Sequence, residues 1–230
     1  MADADLRATL MDGLDRLALQ PGPGCVDRLL AYLDLVERWN QAYNLTSVPP
    51  GVESVVRHLL DSLAIAPIMT GQRFLDVGSG AGLPGLPLAL WYPDREWTLL
   101  DASAKRVRFL RHAAARLGLG NVSCVHARAE DYQAEVAFDT VLSRAFSSLG
   151  AFAAVAGHHA AADGRLAAMK GRLPADELAD LPPGWRLTGL HRLSVPGLQA
   201  ERHLVLLSPT VGKRQDLGGV AGETGSRRED

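Results

Sequence analysis

A glycine-rich loop between two apolar stretches contains the residues best suited to bind a small molecule. Positions 74–90 have the sequence FLDVGSGAGLPGLPLAL, in which Gly80, Gly82 and Gly85 follow the spacing G-x-G-x-x-G. Glycines in such a loop permit a tight turn and let a ligand approach bare backbone. Asp101 ends a later apolar run, at nearly the distance expected of an acid that hydrogen-bonds a ribose. These residues predict a site for an adenosine-containing cofactor.

Asp76 distinguishes between two cofactors that such a loop can hold. It lies two positions before Gly78. A carboxylate there would repel the diphosphate of NAD, whereas it attracts the sulfonium and the α-ammonium group of S-adenosylmethionine. The spacing therefore favours the methyl donor. An NAD-linked oxidoreductase, or a glycine turn that serves only the packing of a helix on a strand, are the alternatives.

The elements that must position this loop follow from the apolar pattern after residue 70. Six short runs rich in Val, Leu and Phe alternate there with helical stretches: RFLDV, EWTLLD, NVSCVHA, FDTVLS, GRLAAMK and ERHLVLLS. This alternation predicts an α/β fold with a mostly parallel sheet and helices on both faces. The glycine loop then follows the first strand and opens a helix at about Leu83, at the edge where such sheets bind ligands.

Three regions differ in pattern along the chain. Residues 1–70 predict a small helical N-terminal segment, residues 71–210 contain the predicted sheet, and residues 211–230 have too little apolar content to pack, so we expect a disordered tail. Two sets of apolar residues recur at helical spacing in the first region: Leu29, Leu33 and Val36, and Val56, Leu59, Leu60 and Leu63.

Composition excludes several classes of protein. The N-terminus carries acids where a secretory signal would carry bases, and no uncharged apolar stretch reaches the roughly 18 residues that span a bilayer. We therefore expect a cytoplasmic protein with no membrane partner. Cys25 and Cys124 lie far apart and outside any Cys/His cluster. We expect neither a disulfide framework nor a metal site.

Several motifs in order resemble the RsmG (GidB) family of methyltransferases: LDVGSGAGLPGLPLA, LLDASAKRVRFLRHAAARLGL and FDTVLSRAF, with ERWNQAYNLTSV, VVRHLLDSL and PGLQAERHLVLL. The resemblance covers roughly residues 28–208, and Ala81 stands where proline is common in that family. It implies a Rossmann-like, S-adenosylmethionine-dependent methyltransferase domain over residues 71–210 behind a small helical N-terminal appendage. It also implies methylation of the N7 atom of one guanine in bacterial 16S ribosomal RNA, with that RNA or the small ribosomal subunit as partner.

The resemblance further implies six cofactor-binding residues: Gly78, Leu83, Asp101, Ala129, Glu130 and Arg144. The first two would offer backbone to the methionine part, and Asp101 would take the ribose. Ala129 and Glu130 match positions that flank the adenine, where a carboxylate or backbone groups can bond the exocyclic amine. The planar guanidinium of Arg144 suits a carboxylate or a guanine edge. A strand-end salt bridge for Arg144 and a solvated surface acid for Glu130 are the alternatives.

Four residues are candidates for substrate binding: Asn40, Arg57, His58 and Lys170. Asn40 makes the end of an apolar helical stripe polar, which indicates either a cap or a pocket. Arg57 and His58 share a predicted polar helix face with Asp61, and an i, i+4 ion pair of Arg57 with Asp61 on a wet surface is the alternative. Lys170 ends the fifth strand, where a cation would meet RNA phosphate.

The implied chemistry needs no catalytic acid or base from the protein. The N7 atom of guanine carries a lone pair and no proton, so it can attack a sulfonium methyl group directly. Alignment of the reacting atoms then accounts for most of the catalysis. Transfer to another RNA, to a protein or to a small molecule would use the same cofactor residues and stays open.

One predicted helix carries a basic face, although the formal net charge of the chain is only −2. Between Ser103 and Leu117, one side bears four basic residues that we call the cationic stripe: Lys105, Arg108, His112 and Arg116. The other side bears Val107, Leu110, Ala114 and Leu117, which should pack on the sheet. Such a stripe is usually a solvated charged face. Because this one contains no acid, contact with phosphate is the other interpretation.

Overall fold

A computed structural model of the chain describes residues 2–144 and 146–210. Its strands are β1 Arg73–Val77, β2 Glu96–Asp101, β3 Val122–His126, β4 Phe138–Ser143, β5 Ala160–Lys170, β6 Trp185–Leu193 and β7 Arg202–Pro209. They form one sheet in the order β3-β2-β1-β4-β5-β7-β6. β1 to β5 are parallel, while β7 is antiparallel to both β5 and β6. The predicted α/β fold with a mostly parallel sheet is confirmed.

The helices are α1 Ala2–Arg16, α2 Cys25–Tyr43, α3 Val52–Ser54, α4 Asp61–Leu63, α5 Gly85–Trp91, α6 Ala104–Arg116, α7 Leu149–Ala156 and α8 Ala175–Ala179. A π-helix, Val55–Leu60, joins α3 to α4, and short 3₁₀ turns cover Ala66–Ile68 and Gly157–His159. Both predicted apolar sets of the N-terminal segment are buried. Among the described helices, none is long and apolar enough to cross a membrane.

The structure refines the sequence prediction in two details. The prediction contained six strands, whereas the sheet has a seventh, β6, which lies at its edge and exposes Leu187 and Leu190. An edge strand buries little, so its apolar pattern is weak. The helix after the glycine loop, predicted to open at about Leu83, begins at Gly85. The N–H group of Leu83 still donates to the carbonyl of Ser79 within the turn, at 3.0 Å.

The hydrophobic core lies on both faces of the sheet. One cluster joins Leu10, Leu29 and Leu59 of the N-terminal helices to Phe74 and Trp97 of the sheet, whose rings stack with centroids 4.3 Å apart. The second cluster packs the opposite face against α7 and includes Leu75, Val141 and Phe152. The N-terminal helices therefore cover one face of the sheet. Division of the chain at residue 70 stays a prediction, and the predicted tail, 211–230, lies outside the described residues.

Candidate active site

The glycine loop follows β1 in a conformation that only glycine adopts readily. Gly78, Gly80 and Gly82 have φ angles of 70°, 60° and 89°, in the left-handed region. A Cβ atom at Gly80 would meet only a backbone oxygen, at 3.9 Å, whereas one at Gly82 would collide with Leu86. Gly80 therefore borders open space and Gly82 serves packing. The loop lines a cavity of about 190 Å³, which we call the loop cavity.

The structure brings Asp101 to this loop from the end of β2. Its carboxylate is buried and accepts hydrogen bonds from the N–H groups of Gly80, at 2.9 Å, and Ser103, at 2.8 Å. Nη1 of Arg106 lies 3.6 Å from Oδ2. A carboxylate oxygen has two lone pairs, so both oxygens keep capacity for ribose hydroxyls. Asp101 thus fixes the loop, but it is not one of the residues that line the loop cavity.

Asp76 is a fully buried carboxylate beneath the loop. Its Oδ2 accepts a hydrogen bond of 3.0 Å from the N–H group of Gly85, while Oδ1 has no hydrogen-bond partner in the part of the chain that is described. Burial raises the pKa of Asp76 to about 7, against the lowering effects of the Gly85 N–H group and of Arg144. A buried acid with one oxygen free of hydrogen bonds to the described residues fits a cationic ligand better than a diphosphate.

The predicted cofactor residues do not all line one cavity. Gly78, Leu83 and Arg144 line the loop cavity. Ala129 and Glu130 follow β3 and do not line it. Ala129 is buried, and its carbonyl accepts a 2.9 Å hydrogen bond from Nε2 of His159, while Glu130 is exposed.

A second, larger cavity of about 510 Å³ adjoins the loop cavity. The two share Leu45, Thr46 and Arg144 as lining residues. The larger one, which we call the cationic cavity, is lined by four basic side chains together with one histidine and one acid: Arg57, Arg144, Lys170, Arg202, His58 and Asp61. Three of the four predicted substrate residues therefore lie around one space, next to the loop.

Asp61 anchors two of these arginines. Its side chain is only 2% exposed; Oδ1 accepts a hydrogen bond from Nε of Arg202 at 2.8 Å, and Oδ2 one from Nη1 of Arg144 at 3.3 Å. The alternative of an Arg57–Asp61 ion pair is wrong, because Arg57 pairs instead with Glu53, at 2.7 Å. The π-helix between α3 and α4 changes the helical repeat. It turns Asp61 toward the interior.

His58 is buried for the same reason and does not share an exposed polar face with Arg57. Its Nε2 is hydrogen-bonded to Oγ1 of Thr46, at 3.2 Å. Burial, reinforced by the charge of Arg144, lowers the pKa of His58 to about 4. The imidazole is therefore neutral at pH 7.

The other two substrate candidates have partners within the protein. Oδ1 of Asn40 accepts a 2.9 Å hydrogen bond from the N–H group of Thr46, and Asn40 also lines a third cavity, of about 200 Å³, beside His58. Asn40 is thus a pocket residue whose side chain holds the segment after α2, while the C-cap of that helix is Asn44. Lys170 donates to Glu177, at 3.0 Å, and to the carbonyl of Ser147, at 3.1 Å.

Sequence reasoning missed Arg202 and Tyr32 as parts of the site. Arg202 is a basic residue at the start of the strongly apolar strand β7, a position at which a charge needs a partner. Tyr32 is a fully buried tyrosine of α2 whose hydroxyl donates to the carbonyl of Ala81 in the glycine loop. Its position in an apolar stripe gave no indication of that contact.

Solved structures of other proteins share this fold. An S-adenosylmethionine-dependent methyltransferase from Geobacter sulfurreducens, crystallised with S-adenosylhomocysteine, aligns with 76% of this chain and 98% of its own, at a TM-score of 0.51 and 14% identity. A second, from Thiobacillus denitrificans and also crystallised with that ligand, gives a TM-score of 0.50 at 15% identity, over 76% of this chain and 97% of its own. At these identities the likeness shows the fold alone.

The parallel sheet, the glycine loop after β1 and the acid that ends β2 define a Rossmann-like methyltransferase. The family model GidB, rRNA small subunit methyltransferase G, matches residues 26–205. The ribosomal RNA small subunit methyltransferases G of Salmonella typhimurium and Salmonella typhi are each 46% identical over 202 residues, which cover 86% of this chain and 98% of theirs. The chain belongs to this family of rRNA methyltransferases, as its motifs predicted.

Proposed function

We propose that the protein transfers the methyl group of S-adenosylmethionine to the N7 atom of a guanine in 16S ribosomal RNA. The observation that carries this proposal is the junction of two cavities at Arg144, one bounded by the glycine loop and the other lined by cations. A methyl donor and a nucleic-acid base would meet at such a junction. Membership of the family, whose members are named for the small-subunit rRNA, supports the substrate.

The residues around the loop fit the methyl donor. Bound S-adenosylmethionine supplies a methyl group on a positively charged sulfur. Backbone at Gly78 and Leu83 would bind its methionine part, Asp101 its ribose, and Ala129 with Glu130 its adenine. The open space beside Gly80 and the unpartnered carboxylate oxygen of Asp76 support a ligand that is close to the backbone and positively charged.

The cationic cavity fits a guanine nucleotide. Its volume of about 510 Å³ lies within the range of pockets that enclose small molecules. The side chains of Arg144 and Arg202 are hydrogen-bond donors only. They therefore suit two acceptors of a guanine nucleotide, the carbonyl oxygen of the base and the oxygens of the phosphate. Asp61 is buried and accepts hydrogen bonds from both arginines. It therefore fixes the orientation of their free N–H groups, which are available to a ligand in the cavity.

Catalysis in this proposal is alignment. His58 is neutral, and N7 of guanine has no proton to lose, so no base is needed. Arg144 touches both cavities and orients the guanine edge so that its N7 atom lies in line with the methyl group. Prior alignment of two reactants removes several kcal/mol of entropic cost from the transition state.

Mass spectrometry of 16S RNA nucleosides from cells with and without the gene tests the proposal. In cells without the gene, we expect 16S RNA to contain one 7-methylguanosine fewer per molecule. Purified protein should restore this nucleoside on small ribosomal subunits. We place the reaction in the cytoplasm, where these subunits are found. Unchanged 7-methylguanosine in 16S RNA would overturn the proposal, and loss of a methyl group elsewhere would redirect it to another RNA, a protein or a small molecule. Thermal stabilisation by S-adenosylhomocysteine and none by NADH is expected of the loop cavity.

A further inference from the structure

α6 presents a dense array of positive charge to solvent. Its 13 residues, AKRVRFLRHAAAR, include five lysines and arginines and no acid. All four members of the cationic stripe are exposed, and the four apolar residues of the opposite side are buried. The helix therefore packs on the sheet as its sequence predicted. The stripe is exposed to water, and the ring centroid of His112 also lies 5.1 Å from that of Trp39 on α2.

The charges of the stripe are not neutralised by neighbouring acids. Of the residues that the structure describes, none forms an ion pair with Lys105, Arg108 or Arg116. Exposed arginines on other helices differ: Arg16 pairs with Asp12 on α1, and Arg38 with Asp34 on α2, each four residues apart. An ordinary solvated face carries such pairs. Unpaired cations without an intervening acid instead favour an anionic partner.

The stripe is continuous with the proposed active site. Nζ of Lys105 lies 4.7 Å from the ring centroid of Tyr43 at the end of α2, within cation–π distance. The chain runs from there directly into Leu45 and Thr46, which line both the loop cavity and the cationic cavity. Arg106, next to Lys105, also lines the loop cavity. A polymer that places one unit in the cationic cavity can therefore extend along α6.

We propose that the cationic stripe binds backbone phosphates of the RNA strand that flanks the methylated guanine. This inference rests on the proposed function and adds a docking surface outside both cavities. An α-helix rises 1.5 Å per residue, so Lys105 and Arg116 lie roughly 16 Å apart along the axis. That distance corresponds to several nucleotides of a strand. The partner is RNA because the stripe offers regularly spaced point charges and donors, which phosphates require.

The test compares two triple variants with equal loss of charge. The stripe variant is Lys105→Gln, Arg108→Gln and Arg116→Gln. The matched control is Arg16→Gln, Arg186→Gln and Arg192→Gln, which removes three exposed cations from α1 and from β6 at the far edge of the sheet. Binding of each protein to protein-free 16S RNA and to small ribosomal subunits is measured over a range of salt concentrations, together with binding of S-adenosylhomocysteine.

For the stripe variant we expect RNA affinity to fall by on the order of 10- to 100-fold at 0.1 M salt. The plot of log affinity against log salt concentration should also become less steep, by about 0.7 to 0.9 for each phosphate contact removed. The control variant should bind RNA like the wild-type protein. Both variants should bind S-adenosylhomocysteine with wild-type affinity, which shows that they are folded.

An unchanged affinity and salt slope in the stripe variant would overturn the inference and leave the stripe a solvated surface. A loss that is confined to assembled subunits, with normal binding to protein-free RNA, would also overturn it by indicating an acidic ribosomal protein as the partner. Failure of the proposed function has a different signature, namely no 7-methylguanosine formed by the wild-type protein. The binding comparison decides the role of the stripe in either case.

Discussion

The hydroxyl of Tyr32 donates a 2.8 Å hydrogen bond to the backbone carbonyl of Ala81. Tyr32 belongs to α2 and is fully buried, so an N-terminal helix holds the glycine loop from below. We expect Tyr32→Phe to lower the free energy of unfolding by about 1 to 3 kcal/mol, because it leaves a buried carbonyl without its donor. It should also weaken S-adenosylhomocysteine binding, since the loop loses a restraint. Urea unfolding and calorimetry measure the two effects.

Tyr92→Phe is the matched control for that substitution. The hydroxyl of Tyr92 donates a similar bond, 2.9 Å, to the carbonyl of Ala66, away from the loop. This variant should lose stability and keep its cofactor affinity. If Tyr32→Phe also kept full affinity, the bond to Ala81 would contribute to stability only.

Asp101→Ala should weaken binding of S-adenosylmethionine by roughly 1.5 to 3 kcal/mol, the range for loss of a charged hydrogen-bond partner. Two ribose hydroxyls would lose their acceptor, and the N–H group of Gly80 would lose the bond that sets the loop. Calorimetry with S-adenosylhomocysteine measures the change. Affinity equal to that of the wild-type protein would remove Asp101 from the cofactor site.

The sheet and the loop could be predicted because each is encoded by a short, continuous stretch of sequence. Apolar runs that are buried on both sides, as in β1, are typical of central parallel strands. Gly80 and Gly82 need φ angles that other residues avoid, and Asp101 ends a strand at a fixed distance from them. Each of these features depends on sequence within some 30 residues.

The cationic cavity could be predicted only in part, because it depends on contacts between distant residues. Asp61 and Arg202 are 141 positions apart, and their pairing follows from the antiparallel return of β7 beside β5. The inward turn of His58 depends on a π-helix, whose sequence, VVRHLL, looks like ordinary amphipathic helix. An i, i+4 rule applied to that stretch therefore gave Arg57 the wrong partner.

Asp61→Asn tests the anchor of the two arginines. The substitution keeps the shape of the side chain and removes its charge, so Arg144 and Arg202 lose a buried counter-ion. We expect a rise in KM for the small subunit or a fall in kcat of at least 10-fold, with cofactor affinity nearly unchanged. Glu53→Gln breaks the exposed pair with Arg57 and should change stability by less than about 1 kcal/mol. Wild-type kinetics in Asp61→Asn would show that the anchor is dispensable.

Asp76 should make the protein less stable as the pH rises. Its pKa is raised from 3.8 to about 7 in the folded state by burial. Between about pH 4 and pH 7 the folded state therefore holds a proton that the unfolded state releases, and the free energy of unfolding falls, by at most about 4 kcal/mol. Asp76→Asn should remove this dependence while its amide oxygen still accepts from Gly85. Parallel pH profiles for the two proteins would contradict the raised pKa.

His58 should act in the opposite direction over nearly the same range. Burial and the charge of Arg144 lower its pKa from 6.5 to about 4 in the folded state. As the pH falls from about 6.5 to 4, the unfolded state takes up a proton that the folded state refuses, so the free energy of unfolding falls by at most about 3 kcal/mol. The wild-type profile contains both opposing terms and can look flat. Each term is therefore measured as the free energy of unfolding of the wild-type protein minus that of the variant. As the pH falls, this difference should become more negative for His58→Gln. For Asp76→Asn it should become more positive. A His58 difference that stays constant from pH 7 to pH 4 would mean that the imidazole is accessible to protons and that the cationic cavity is wetter than its burial indicates.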